Sequence, residues 1–228
     1  MRDMNPKVLY EDDYFLVIDK PAGVVVNRAE SVKEETVQDW VKKLMNFTNP
    51  ANLADGENED FMARDGIVHR LDKETSGLLV IAKNNTTHLA LARQFAKHSI
   101  KRKYIALVKG KMEFDEDIIE LPIGRHPRRR KNMAVGFAKG TKYAKTHYRT
   151  LKRKEDCSLL ELEPFTGRTH QLRVHLAFIG HPILGDAKYG KGNGSKRMCL
   201  HAKYIGFLHP SSGKFVEFSS DTPSEFKI

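Results

Sequence analysis

Two cysteines, Cys157 and Cys199, stand alone in 228 residues, and no CxxC pair occurs. A disulfide framework and the common cysteine-based zinc and redox motifs are thereby excluded. No apolar run approaches the ~18 residues that span a bilayer. The opening MRDMNPKVLYEDD is charged and lacks the apolar core of a signal peptide. No GxxxxGK[ST] loop is present to cradle a nucleoside triphosphate, and TSG at 75–77 and SSG at 211–213 match a serine-nucleophile elbow only weakly. There are ten histidines, but no HExxH and no Cys/His quartet, and His170 and His175 stand five apart, which separates them on a helix. The expectation is no metal, no membrane, and a cytoplasmic chain that is a monomer by default.

One more scarcity is local. Between Leu121 and Lys154 there is no Asp or Glu, while 12 Lys and Arg fall there. The whole chain carries +10, so this window at +12 leaves −2 for everything else. A confined positive field on a near-neutral body suits a polyanion. RHPRRRK (125–131) alone would fit a solvated loop. MAVGFA and THYRTL in the same window look like strands, which favours an ordered basic surface and a nucleic-acid partner.

The remaining text alternates between strand and helix signals. YFLVIDKPAG (14–23) reads as a strand ended by a turn, and VVVN as a further strand segment. TVQDWVKKLM (36–45) spaces Val37, Trp40, Val41 and Leu44 as a helix capped by Thr36. Residues 46–65, which hold an acidic insert at 53–60, read as a loop. GLLVIAK (77–83) is a buried strand. THLALARQFAKHS (87–99) is a helix capped by Asn84 or Asn85, with Leu89, Ala92, Phe95 and Ala96 on its inner side. KRKYIALVKGKM (101–112) is a strand, and 141–164 gives two strands around Lys154–Asp156. FTGRTHQLRVHLAFIGHP (165–182) reads as a helix with Thr166 as its cap, Leu172, Leu176 and Ile179 as its apolar stripe, and Gly180 and Pro182 as its end. The segment from Met198 gives two more strands with a turn near Ser211–Gly213. The fold class is α+β: a mixed, largely antiparallel sheet with flanking helices, in one domain over 1–228.

The densest chemistry lies in HRLDKETSG (69–77). Asp72 has Arg70 and Lys73 beside it, and a nearby cation favours the ionised carboxylate that nucleophilic or acid–base work needs. Asp, Thr, Ser and Gly also form turns, so spacing alone leaves a catalytic and a structural role open. In GRTHQLRVH, Arg168 stands close to a helix start, where the dipole disfavours a cation, which leaves open a carboxylate or phosphate partner and an ordinary surface arginine. Tyr104, flanked by Lys101, Arg102 and Lys103, can stack on an exposed base or serve as strand core.

Taken in order, YEDDYFLVIDKPAG, HRLDKETSGLLVIAK, KYIALVKG, LPIGRHP and GRTHQLRVHLAFIGHPILGDAKYG resemble the motifs of the RluA-type pseudouridine synthases, from about Val8 to Phe218. The resemblance implies an RNA isomerase that needs neither cofactor nor metal. It makes Asp72 the catalytic carboxylate and Arg70 the residue that fills the space left by a flipped base. It further implies that Tyr104 packs on the target uracil, that Arg173 pairs with the catalytic Asp, and that Leu200 walls the uracil pocket. Glu74, Thr75 and Ser76 are read as structural. Many relatives carry an S4-type RNA-binding domain first; YEDD begins at residue 10 here, so none is expected. RNA contacts are then assigned to the catalytic domain, at Lys101, Arg102, Lys103, Arg128, Arg129, Arg130 and Lys131, with ribosomal RNA and tRNA both open. The alternative is a non-catalytic RNA-binding or folding factor of the same fold. A nucleoside glycosylase is a third class, told apart by release of free base.

Overall fold

The computed structural model describes residues 5–45, 59–136, 139–191 and 195–228. In chain order the elements are β1 (Lys7–Glu11), β2 (Phe15–Lys20), α1 (Val37–Met45), α2 (Glu59–Arg64), β3 (Ser76–Ala82), α3 (Asn85–Ala96), β4 (Lys101–Lys109), β5 (Glu116–Glu120), β6 (Ile123–Arg125), β7 (Met133–Val135), β8 (Lys145–Arg153), β9 (Cys157–Pro164), α4 (Gln171–Phe178), β10 (Leu200–Leu208) and β11 (Phe215–Ser219). They form two compact units, one from the chain up to Lys101 with Tyr204–Ser220, the other from Arg102–Lys203 with Asp221–Ile228. β10 runs from the second unit into the first. The class is α+β and the strand pairings within each unit are antiparallel, as the sequence indicates.

In the first unit β1, β2 and β3 are successive neighbours, and β11 pairs with Tyr204–Leu208 of β10. Every residue of β3 is buried, the continuous apolar run expected of a strand covered on both faces. Phe15, Val17, Leu78, Val80, Leu91, Ile205 and Phe207 make the core. In the second unit the order is β4, β9, β8, β5, and α4 lays Leu172 and Leu176 into a core with Ile105, Leu107, Leu160, Leu162 and Leu200.

Four expectations are corrected. VVVN forms no strand: Val25 O and Val26 O accept instead from the N–H groups of Val37 and Gln38, two of the donors that the start of α1 leaves unmet. Thr36 does cap that helix, its Oγ1 accepting from Asp39 N–H (3.1 Å) while the Asp39 carboxylate accepts from Thr36 N–H (2.9 Å). Residues 59–64, expected in a loop, are α2. Six residues with only Phe61 buried are too few to display a helical period. The rest of that expected loop, 46–58, lies outside the described residues, as do the last two residues of MAVGFA.

α3 is capped by Asn84, whose side chain accepts from Thr87 N–H (2.9 Å), but it turns a different face inward. Thr87, His88 and Leu91 are buried while Leu89 is 38% exposed. A hydrophobicity pattern does not flag a buried face that carries Thr and His. Finally, α4 begins at Gln171, not near Thr166. His170 takes a left-handed conformation (φ 56°, ψ 21°), and Thr166 donates to the Gln171 side chain (2.7 Å) rather than capping backbone. Gly180 (φ 90°) ends the helix as expected.

Candidate active site

Asp72 and Arg70 belong to the first unit; Tyr104, Arg168, Arg173 and Leu200 belong to the second. The Asp72 loop is built backwards from β3. Leu71 (5% exposed), Thr75 (2%) and Ser76 (6%) are sunk, Asp72 is half-buried, and Arg70, Lys73 and Glu74 are exposed. Asp72 O accepts from Thr75 N–H (3.1 Å), which closes the turn. Lys73 O accepts from Gly23 N–H (2.8 Å) and from Lys20 Nζ (3.1 Å). Lys20 is fully buried, and its ammonium also donates to Pro21 O (2.8 Å) and Val24 O (2.9 Å). KPAG is thus a clamp on the residue after Asp72, a role its turn signal did not reveal. His69 is not a cation here. Its Nε2 accepts from Val80 N–H (2.9 Å), so that nitrogen carries no proton, and its ring stacks on Phe95 at 4.5 Å.

Replacing Lys20 by Met keeps the stem and removes the three donors. A hydrogen bond to a charged group contributes about 1.5–3 kcal/mol, part of which is offset by no longer burying a charge. Lys20→Met is expected to lower stability by ~2 kcal/mol and turnover by more than tenfold. Urea unfolding and a product assay on the folded variant check this. Full turnover in Lys20→Met would show that the clamp is dispensable.

In the second unit the fixed point is Arg173. Its Nε donates to Asp186 Oδ2 (2.8 Å) and its Nη2 to Asp186 Oδ1 (2.9 Å), a bidentate pair with side chains 8% and 0% exposed. Asp186 Oδ1 also accepts from the N–H groups of Lys188 (2.9 Å) and Tyr189 (3.1 Å). Burial pushes the Asp186 carboxyl up, but the Arg173 hydrogen bonds and charge, with the two backbone donors, push it further down, so it stays ionised. The Tyr189 ring faces the same guanidinium at 5.1 Å. Gly185 must be glycine: at φ 74°, an added Cβ would meet Arg197 O at 1.9 Å. Asp186 is the acidic residue of GHPILGD, and spacing gave no sign of its partner.

Around α4 runs a proton-ordered chain. Thr166 Oγ1 donates to Gln171 Oε1 (2.7 Å), which also accepts from Arg168 N–H (3.0 Å). Gln171 Nε2 donates to Lys145 O and to Thr146 Oγ1, each at 3.0 Å. Thr146 then donates to His175 Nδ1 (3.0 Å), leaving His175 Nε2–H for Leu121 O (2.9 Å). His175 is wholly buried, and burial lowers its pKa, so it is a neutral structural member. Arg168 precedes the helix and its Nε donates to Tyr143 O (2.9 Å), so the helix-dipole argument does not apply to it.

Tyr104 stands on β4 opposite Leu162, half-buried against the second core, and Leu200 (3% exposed) opens β10 inside that core. Of the basic neighbours, Lys101 lies over the Phe215 ring (5.4 Å), Arg102 donates weakly to Pro164 O (3.3 Å) and Thr166 O (3.4 Å), and Lys103 pairs with Glu161 (3.1 Å). The basic window divides in two. On β8, Lys145 pairs with Glu120, and Arg149 and Arg153 pair with Glu116 and Asp115 from around β5. β6 and β7 form a hairpin whose tip, 126–132, exposes Arg128, Arg129, Arg130 and Lys131. His126 Nδ1 accepts from the N–H groups of Arg128 (3.2 Å) and Arg129 (3.1 Å), which orders the tip. Among the described residues none of those four cations pairs with a carboxylate, so the hairpin tip carries an unbalanced positive charge. Among the described residues, too, no cluster of His, Cys, Asp and Glu could hold a metal ion, and no helix is long and apolar enough to cross a membrane.

A family model described as RNA pseudouridylate synthase matches residues 14–178. The chain is 38% identical to the ribosomal large subunit pseudouridine synthase D of Zymomonas mobilis, over 100% of this chain and 72% of that one. It is 42% identical to the protein of the same name from Nitrosomonas europaea, over 96% and 62%. The chain therefore spans roughly two thirds of those relatives' length. Among solved structures, human RNA pseudouridylate synthase domain containing 1 superposes with a TM-score of 0.74 at 28% identity, covering 96% of this chain and 84% of that one. The chain belongs to the RNA pseudouridylate synthase family, isomerases that act on RNA.

Proposed function

We propose that this protein converts selected uridines of a structured RNA to pseudouridine, with Asp72 as the catalytic carboxylate. The target uridine leaves its stack at a cost of a few kcal/mol, offset by contacts to the extruded base. The N1–C1′ bond breaks, the uracil turns, a C5–C1′ bond forms, the C5 proton leaves and N1 gains one, so the product is an isomer of the substrate. Asp72 starts this by attacking C1′ or by taking the C2′ proton. Tyr104 and Arg173 take the roles that the resemblance gives them, stacking on uracil and holding charge for the carboxylate.

One observation carries this reading: Asp72 sits half-buried in a turn whose next carbonyl is gripped by a fully buried ammonium, Lys20. A surface turn has no need of such rigidity; a carboxylate that must meet a sugar carbon does. The names of the two bacterial relatives make large-subunit ribosomal RNA the first substrate to test. A cytoplasmic location goes with that substrate. Carbodiimide mapping of RNA from cells with and without the gene, rescued by wild type or Asp72→Asn, is the test. Positions restored by wild type alone support the reading; no changed position would leave an RNA-binding factor of the same fold.

The hairpin tip is the proposed phosphate contact. Changing Arg128, Arg129 and Arg130 to Gln removes three cations, and each phosphate contact contributes about 0.7–0.9 to the slope of log K against log salt. The slope is expected to flatten by ~2. Filter binding from 50 to 300 mM salt reads it, and an unchanged slope rejects this surface.

A further inference from the structure

We propose that Tyr189 is a positioning residue that locks the arginine-rich hairpin and the Arg173 guanidinium into one register. RNA gripped at the hairpin is thereby held in a fixed relation to Arg173. The inference rests on the reading that Arg173 serves the reaction.

Tyr189 meets three groups from two segments, β7 and α4 with its opening residue. Its hydroxyl accepts from Met133 N–H, the first residue of β7, at 2.9 Å. The same hydroxyl hydrogen-bonds His170 Nδ1 at 2.8 Å. His170 is the left-handed residue that opens α4, three positions before Arg173. The face of the Tyr189 ring covers the Arg173 guanidinium, and its backbone N–H helps hold Asp186, which grips the edge. One side chain thus fixes the hairpin, the helix start and the arginine.

Apart from Tyr189 the hairpin is tied by backbone at its base, where Ile123 and Lys142 exchange two bonds of 2.9 Å and Gly136 N–H donates to Pro122 O (3.0 Å). It pairs only three residues on each strand, and a short two-stranded ribbon is marginal without packing. Its packing is Ile123, Met133 and Val135 against Val174 and Tyr189, and Val174 follows Arg173 directly in α4. Lys188 adds a bond from its Nζ to Lys131 O (2.7 Å). Loss of the Tyr189 hydroxyl therefore unpins the hairpin while the ring still faces Arg173. Loss of the ring frees both.

The test separates those effects. Single-turnover tritium release from RNA labelled at uridine C5 is measured against RNA concentration for wild type, Tyr189→Phe, Tyr189→Leu and Arg173→Lys. Tyr189→Phe, which loses the hydroxyl's bonds to Met133 and His170, is expected to raise the half-saturating RNA concentration about tenfold, with the saturating rate within about threefold. Tyr189→Leu is expected to show the same shift and, in addition, a saturating rate about tenfold lower as the guanidinium loses its cover. A folded Tyr189→Phe with wild-type half-saturation overturns the proposal, and that variant decides the matter even if Tyr189→Leu unfolds. A Tyr189→Leu that matches Tyr189→Phe in rate overturns the part that concerns Arg173. If Arg173→Lys keeps the full saturating rate, the reading of Arg173 itself fails. A slow Arg173→Lys beside an unaltered Tyr189→Phe sinks the proposal alone.

Discussion

Asp72→Asn is expected to cut pseudouridine formation by on the order of 10⁴-fold or more, while RNA affinity stays within about threefold of wild type. The amide has the shape of the carboxylate and none of its charge, so it can neither attack C1′ nor take a proton from C2′. The backbone bonds that hold the loop are kept. Thr75 N–H still finds Asp72 O, and Lys20 and Gly23 still find Lys73 O, because those bonds are to backbone. Affinity should hold because the proposed phosphate contacts lie in the hairpin tip, and removing one negative charge does not oppose a polyanion. Tritium release and filter binding on the same folded preparation read both quantities. Rate and affinity lost together would mean that Asp72 shapes the binding surface, and a rate above about one hundredth of wild type would remove it from the chemistry.

The sequence carried the strands and the reacting loop further than it carried the supports. β3 announced itself as GLLVIAK, and the hairpins of β8–β9 and β10–β11 were marked by their turn residues. The loop was marked by charge at the mouth of a buried strand. Its clamp was not, because Lys20 stands next to a Pro in a turn and Pro21 O, Val24 O and Lys73 O are backbone carbonyls, which leave no trace in residue type. Asp186 was hidden for a related reason. Its partner is 13 residues away in the chain, and the left-handed turns at Gly180 (φ 90°) and Gly185 (φ 74°) lie between them. The long helix expected over 165–182 shrank to Gln171–Phe178 because the Gln171 side chain takes up the Thr166 hydroxyl and the Arg168 backbone N–H. That competition is what makes short polar residues poor guides to a helix start.

Removing the Asp186 carboxylate is expected to produce the largest loss of stability of any single change around Arg173. In Asp186→Ala the guanidinium stays buried without its bidentate partner, and breaking such a pair from one side costs about 3–5 kcal/mol. The N–H groups of Lys188 and Tyr189 lose their acceptor as well. Asp186→Asn keeps one acceptor oxygen and should lose less. The acid side gives a second check. The folded carboxyl titrates below its ordinary value of 3.8, so its contribution is fully present above that value and is lost as pH falls through the lower folded one. The stability gap between wild type and Asp186→Asn should therefore be constant near neutrality and narrow below about pH 4. Urea unfolding at several pH values measures it, and a gap that is small at neutral pH or widens in acid would contradict the pair. The double change Arg173→Met with Asp186→Leu separates packing from chemistry. Two apolar side chains of similar volume can replace a buried ion pair with little loss or even a gain. That variant should recover much of the stability lost in Asp186→Ala while remaining inactive on RNA, because the fold needs only the space between α4 and the Gly185 turn to be filled, whereas the proposed reaction needs the guanidinium itself.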